Sequence, residues 1–105
     1  DLIKVSSPRP GQKITSPLLV SGSVRGSWFF EGSLPLKLVA ANGKTIAIGT
    51  AQAIGEWMTN DFVDFTATIK FKPPYGLGKL IIQKSNPSDL AKNSDQLEIP
   101  LRFGP

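Results

Sequence analysis

From Leu18 onward, apolar and polar residues alternate along much of the chain with a period of two. In LLVSGSVRG, Leu18, Val20, Gly22 and Val24 oppose Leu19, Ser21, Ser23 and Arg25. In VDFTATIKF, Val63, Phe65, Ala67, Ile69 and Phe71 oppose Asp64, Thr66, Thr68 and Lys70. In QLEIPLRF, Leu97, Ile99, Leu101 and Phe103 oppose Gln96, Glu98, Pro100 and Arg102. Successive side chains of an extended strand point to opposite faces, so each segment predicts a strand with one side in a core and one in water. No window repeats apolar residues at helical spacing over three turns. The pattern is all-β.

The segment LKLVAANGKTIAIG reads as a hairpin. A two-residue Asn42-Gly43 turn would pair Leu38 with Ala47 and Lys37 with Ile48, mixing the faces. A three-residue loop, Ala41-Asn42-Gly43 with Gly43 left-handed, pairs Leu38 with Ile46 and Leu36 with Ile48. That register sets apolar against apolar and is the one expected. Further short strands fit Leu2–Val5, Gln12–Ile14 and Lys79–Ser85, the last after a Pro73-Pro74-Tyr75-Gly76 corner. About seven strands separated by turn signals describe a β-sandwich better than a five-stranded barrel. Its expected core holds Val20, Val24, Leu38, Ile46, Phe65, Ile69, Leu80, Ile82, Leu97 and Leu101. Pro8, Pro10 and Pro17 confine the first segments to an edge, and Pro100 asks for an edge or a bulge in the last strand. SNPSDLAKNSD, residues 85–95, is the longest polar interval, with room for one helical turn.

A length of 105 residues suits one domain with one core, and a 40% hydrophobic content is enough to fold it. Runs such as Leu80-Ile81-Ile82 fall far short of the roughly 20 residues that cross a bilayer. The amino end does not resemble a signal peptide. A start at Asp1 rather than Met reads as an excised or processed piece. There is no Cys and no His. Thiolate and imidazole chemistry, disulfides and most zinc or copper sites are thereby excluded, and no cofactor or metal is expected. The net charge of +4 admits an anionic partner. Because the basic residues are scattered along the sequence, they read as solvated strand faces and not as a nucleic-acid stripe.

SPRPGQKITSPLLVSGSVRGSWFFEGSLPLKLVAANGKTIA, GEWMTNDFVDFTATIKF and the closing DQLEIPLRF resemble the Gmad2 family, the immunoglobulin-like domain of bacterial spore germination proteins. The resemblance runs from about Ile3 to Phe103. Its most specific parts are SPLLVSGSVRG followed by FEG, the NGK turn, and GEWMTNDFVDF. It implies a single immunoglobulin-type sandwich over 1–105, cut from a larger envelope protein or lipoprotein and working outside the cytoplasm. The implied role is a non-catalytic interaction or spacer module associated with germination. Its partner would be a protein or a cell-wall glycan such as peptidoglycan, with no membrane insertion of the domain itself. The Cys pair and strand-C Trp of antibody domains are missing, so no antigen-receptor chemistry carries over. A nucleic-acid-binding β domain is the alternative that charge alone supports.

Acidic residues give little chemistry. A glycosidase needs two carboxylates converging on one bond; Glu31 and Glu56, both in turns beside aromatics, are the one pair that could meet. Asp61 with Asp64, or Asp89 with Asp95, lacks the dense ligand spacing of a calcium loop. An intramolecular Lys4–Asn93 crosslink has no supporting motif. The protein is not expected to be an enzyme.

The aromatics matter more. Trp28, Phe29 and Phe30 stand in RGSWFFEGSLP, and Trp57 and Met58 precede Phe62 and Phe65. In one reading Phe30 and Trp57 cap the core while Glu31 accepts backbone N–H bonds. In the other, Trp28 or Phe29 stays exposed as an anchor. Gly26-Ser27 breaks the phase of the preceding strand, so the expectation combines them: Phe30 turns inward and Trp28 remains partly exposed beside Trp57. The candidate binding surface is Trp28, Phe29, Glu31 and Trp57.

Overall fold

A computed structural model describes residues 3–72, 74–85 and 95–104. Among them are eight strands: β1 (Ile3–Ser7), β2 (Lys13–Ile14), β3 (Leu18–Arg25), β4 (Ser33–Ala40), β5 (Thr45–Ala53), β6 (Phe62–Ile69), β7 (Gly76–Gln83) and β8 (Gln96–Phe103). A single 3-10 turn, Gly26–Trp28, follows β3. Pro73 of the expected corner, and residues 86–94 of the interval where a helical turn was expected, lie outside the described residues.

The strands join in the order β1-β3-β6-β5-β4-β7-β8-β2. This is one continuous curled sheet whose two halves form the layers of the expected sandwich. The link is β5, which pairs with β4 along most of its length and then passes Gln52 and Ala53 to β6. Curling brings the β3–β6 portion against the β4–β7–β8 portion across a shared core, giving the immunoglobulin-like sandwich. The count is eight where about seven were expected; the two short opening strands go to opposite edges, β1 pairing with β3 and β2 running parallel to β8.

The period of two is realised along most of β3, β6 and β8, whereas β4 and β7 bury residues on both faces at Val39 and Ile81. Leu18, Val20 and Val24 of β3, Val63, Phe65, Ala67 and Ile69 of β6, and Ile99, Leu101 and Phe103 of β8 are buried. Of the expected core residues, Ile46 and Leu97 are only partly buried, packed against its margin. Pro100 fits because its carbonyl accepts from Gly11 N at 2.7 Å. N–H and C=O of one strand residue point the same way, so the missing donor of Pro100 faces away from β7 and no ladder bond is lost.

The β4–β5 hairpin corrects the expected register. The loop is Ala41-Asn42-Gly43 with Gly43 at φ +87°, as expected. Past Val39–Thr45, however, the register shifts, and Leu38 faces Ala47, Lys37 faces Ile48 and Leu36 faces Gly49. Ile46 is the extra residue of the bulge. Packing volume decides this. An added Cβ on Gly49 would stand 3.2 Å from the Ile69 side chain, so β5 must offer Ala47, Gly49 and Ala51 to a core already filled by leucines. Ile48 is left in water.

Candidate functional site

Strand alternation ends at Arg25, and the 3-10 turn that follows closes with Phe29 N donating to Gly26 O at 3.1 Å. The backbone changes from 3-10 at Trp28 to extended at Phe29 (φ −85°, ψ 147°), so the strict alternation of a strand does not apply between them. Trp28 and Phe29 both go inward, at 3% and 7% exposure, while Phe30 is 50% exposed. The expected arrangement is therefore inverted. Trp28 and Phe29 plug the sandwich end, and Phe30 is the aromatic in solvent. The plug is tied to the end of β7: Trp28 O accepts from Ser85 N, and Ser85 Oγ donates to Ser33 O, each at 2.9 Å.

Phe30 and Ser33 exchange two backbone hydrogen bonds, 2.9 and 3.1 Å long. The two residues between them, Glu31 at φ +51° and Gly32 at φ +78°, are both left-handed. That combination defines a type I′ turn, the tight connection whose twist suits a hairpin. Glycine is needed at position 32 for a second reason, since a Cβ there would stand 3.2 Å from Trp57 Nε1. The Trp57 ring thus packs on the turn that displays Phe30, and it is half-buried. Glu31 sits exposed at the turn tip.

The other wall is the 54–61 loop. Gly26 N donates to Asp61 O at 3.1 Å, and Thr59 N to Trp57 O at 2.9 Å. Glu56, not Glu31, is the carboxylate that caps backbone here: its Oε1 accepts from Met58 N at 2.8 Å. Asp61 is likewise engaged locally: Thr59 Oγ1 donates to Asp61 Oδ2 at 3.4 Å and accepts from Asp61 N at 3.1 Å. Between the walls lies a shallow open groove of about 400 Å³, lined by Gly26, Ser27, Phe29, Trp57, Met58 and the Thr59–Asn60 backbone turn. Met58 is 76% exposed on its rim. Beside it, Lys4 and Arg25 lie over the Phe62 ring at 4.6 and 4.3 Å, so Lys4 has a cation–π role here. Asn93 and Asp89 fall outside the described residues.

All four candidate residues, Trp28, Phe29, Glu31 and Trp57, come to one end, but only Glu31 and part of Trp57 are accessible, Trp28 and Phe29 being buried. Phe30 and Met58 are the apolar groups that sequence reasoning missed as surface. The signal available for Phe30 was the glycine two positions on, which marks a turn and so a reversal of facing.

The model of the family described as "Immunoglobulin-like domain of bacterial spore germination" matches residues 2–91. The chain belongs to the Gmad2 family. It is a germination-related immunoglobulin-like module, and the match covers the whole aromatic end just described. β8 lies beyond the matched span, yet it pairs with β7 over eight rows and completes the Gmad2 sandwich of this chain. No curated protein matches it.

Five of the basic residues that are scattered along the sequence come together in space. Antiparallel strands return the chain to the same two ends, and Lys13, Lys44, Lys70, Lys72 and Arg102 all fall at the end opposite the groove.

Proposed function

We propose that this Gmad2 domain is a non-catalytic interaction module of a bacterial envelope protein, acting outside the cytoplasm. It holds a protein partner with the end that carries Phe30, Trp57 and Met58. The observation behind this reading is an exposed Phe30 on a tight two-residue turn packed against Trp57, which in turn lines the groove that carries the exposed Met58. Aromatic and Met side chains are the enriched anchors of protein interfaces, and an anchor held on a stiff turn loses little freedom when it binds. Glu31 and Glu56 carry negative charge on the two walls while Arg25, which donates to Asn60 O, and Lys4 lie beside the groove, so the partner presents an apolar side chain flanked by charged groups of both signs.

A glycan partner is the weaker reading. Sugar binding relies on a broad exposed ring face, and the larger rings are committed elsewhere: Trp28 is buried and Trp57 lies against Gly32. The test is photocrosslinking in cells, from a photoreactive phenylalanine analogue placed at position 30, 58 or 48 of the parent protein. The same protein adduct is expected from positions 30 and 58 but not from the exposed Ile48 on β5. Adducts at all three positions, or at none, would refute the proposal; adducts to glycan strands would favour the second reading.

A further inference from the structure

We infer that the pole opposite the groove is a membrane-apposition surface, which rests on the headgroups of an anionic phospholipid bilayer. This surface is independent of the Phe30 end and makes a separate claim.

Five cations gather there from distant parts of the chain: Lys13 on β2, Lys44 beside the β4–β5 loop, Lys70 and Lys72 after β6, and Arg102 on β8. All five are exposed. Every acid among the described residues, from Glu31 and Glu56 to Asp64 and Glu98, lies in the other half of the strands. Lys4, Arg25 and Lys84 share that half with the six described acids and only partly offset them, so the molecule is polarised along its strands, whose eight residues span about 26 Å. Such a dipole turns the basic pole towards a negative plane before contact.

Register makes the charge placement more than a count. Lys13 is the direct cross-strand partner of Arg102, and Arg102 is that of Leu77. Two like charges in directly opposed positions repel. No acid is placed between them among the described residues, and they line a hollow of about 280 Å³ with Leu77 and Phe103. An incoming phosphate relieves that repulsion.

The apolar content selects the kind of phosphate. Tyr75 is 85% exposed and Leu77 61%, both at this pole and among the cations. An amphipathic tyrosine and an aliphatic side chain ringed by Lys and Arg match the boundary between headgroups and acyl chains. Single-stranded nucleic acid instead needs a run of aromatic stacking platforms along a groove, and among the described residues Tyr75 is the one exposed aromatic at this end. Docked this way, the domain holds Phe30 away from the membrane, where a partner reaches it.

The experiment is co-sedimentation of the domain with vesicles of phosphatidylcholine alone or mixed with phosphatidylglycerol. Binding to the mixed vesicles only is expected, falling steeply with added salt. Each cation near such a surface is worth about fivefold in partitioning, so Lys44→Gln with Lys72→Gln should lower it about 25-fold. Tyr75→Ser with Leu77→Ser should lower it several-fold. Phe30→Ser should leave it unchanged, and circular dichroism melting checks that each variant is folded. Equal binding to both vesicle types, or indifference to either double substitution, would overturn the inference. Tighter binding to a DNA duplex at equal phosphate concentration, lost in the same lysine variants, would overturn it in favour of nucleic acid.

Discussion

Gly26→Ala probes the joint between the two walls of the groove. The added Cβ would stand 2.1 Å from Thr59 O and 2.3 Å from Trp57 O. Both obstacles are main chain, so no rotamer change removes them, and a separation near 3.4 Å requires the 57–59 segment to retreat by about 1 Å. Overpacking of this kind costs about 1–3 kcal/mol. The retreat also strains the hydrogen bond from Gly26 N to Asp61 O; a buried N–H left unpaired costs about 1–3 kcal/mol more. With partial relaxation the total is about 3 kcal/mol. For a domain of this size that lowers Tm by about 12–24 °C. The assay is urea unfolding followed by tryptophan emission, because Trp57 should redden as it lifts from Gly32. A variant within about 0.5 kcal/mol of the parent, with unchanged emission, would refute the packing argument.

Phe65→Ala removes a side chain that is 1% exposed at the centre of β6 and should cost about 3–5 kcal/mol by urea unfolding. Glu31→Asn should raise stability by about 0.5–1 kcal/mol, because asparagine tolerates the left-handed conformation that strains glutamate; a loss in thermal melting would contradict the turn assignment. The Glu98 carboxyl is held below its ordinary value by the hydrogen bond from Lys79 at 2.8 Å, then by Gln96 and the Lys79 charge. A carboxyl lowered in the folded state stabilises at neutral pH, and that contribution disappears as pH falls from about 4.5 through the lowered value. Glu98→Gln should therefore melt slightly lower at pH 7 and converge with the parent in acid. The contribution is small because the pair is exposed.

Much of the sandwich was legible because a strand with one wet face writes its facing into every second residue. The register of β5 was not. Matching apolar to apolar put Ile46 and Ile48 inward, whereas the leucines of β4 and Ile69 leave space only for Ala47, Gly49 and Ala51. Such volume constraints come from residues far apart in sequence and are invisible within one hairpin. At the aromatic end, the break in phase after Arg25 was readable from Gly26-Ser27, but its size was not. A 3-10 turn, in place of an extended kink, sent Trp28 and Phe29 in together and Phe30 out. Glu31-Gly32 concealed a type I′ turn that Asn-Gly would have announced. The basic pole was hidden differently: each lysine looked isolated until the topology folded alternate turns onto one end.

The central claim is that Phe30 anchors a protein partner, and the affinity of the partner crosslinked at position 30 tests it most directly. Titrating that purified partner against the parent domain, Phe30→Ala and Ile48→Ala compares two exposed apolar side chains on different faces. An interface anchor is worth about 2 kcal/mol, so Phe30→Ala should weaken binding about thirtyfold while Ile48→Ala leaves it unchanged. Equal affinities for all three proteins would contradict the account.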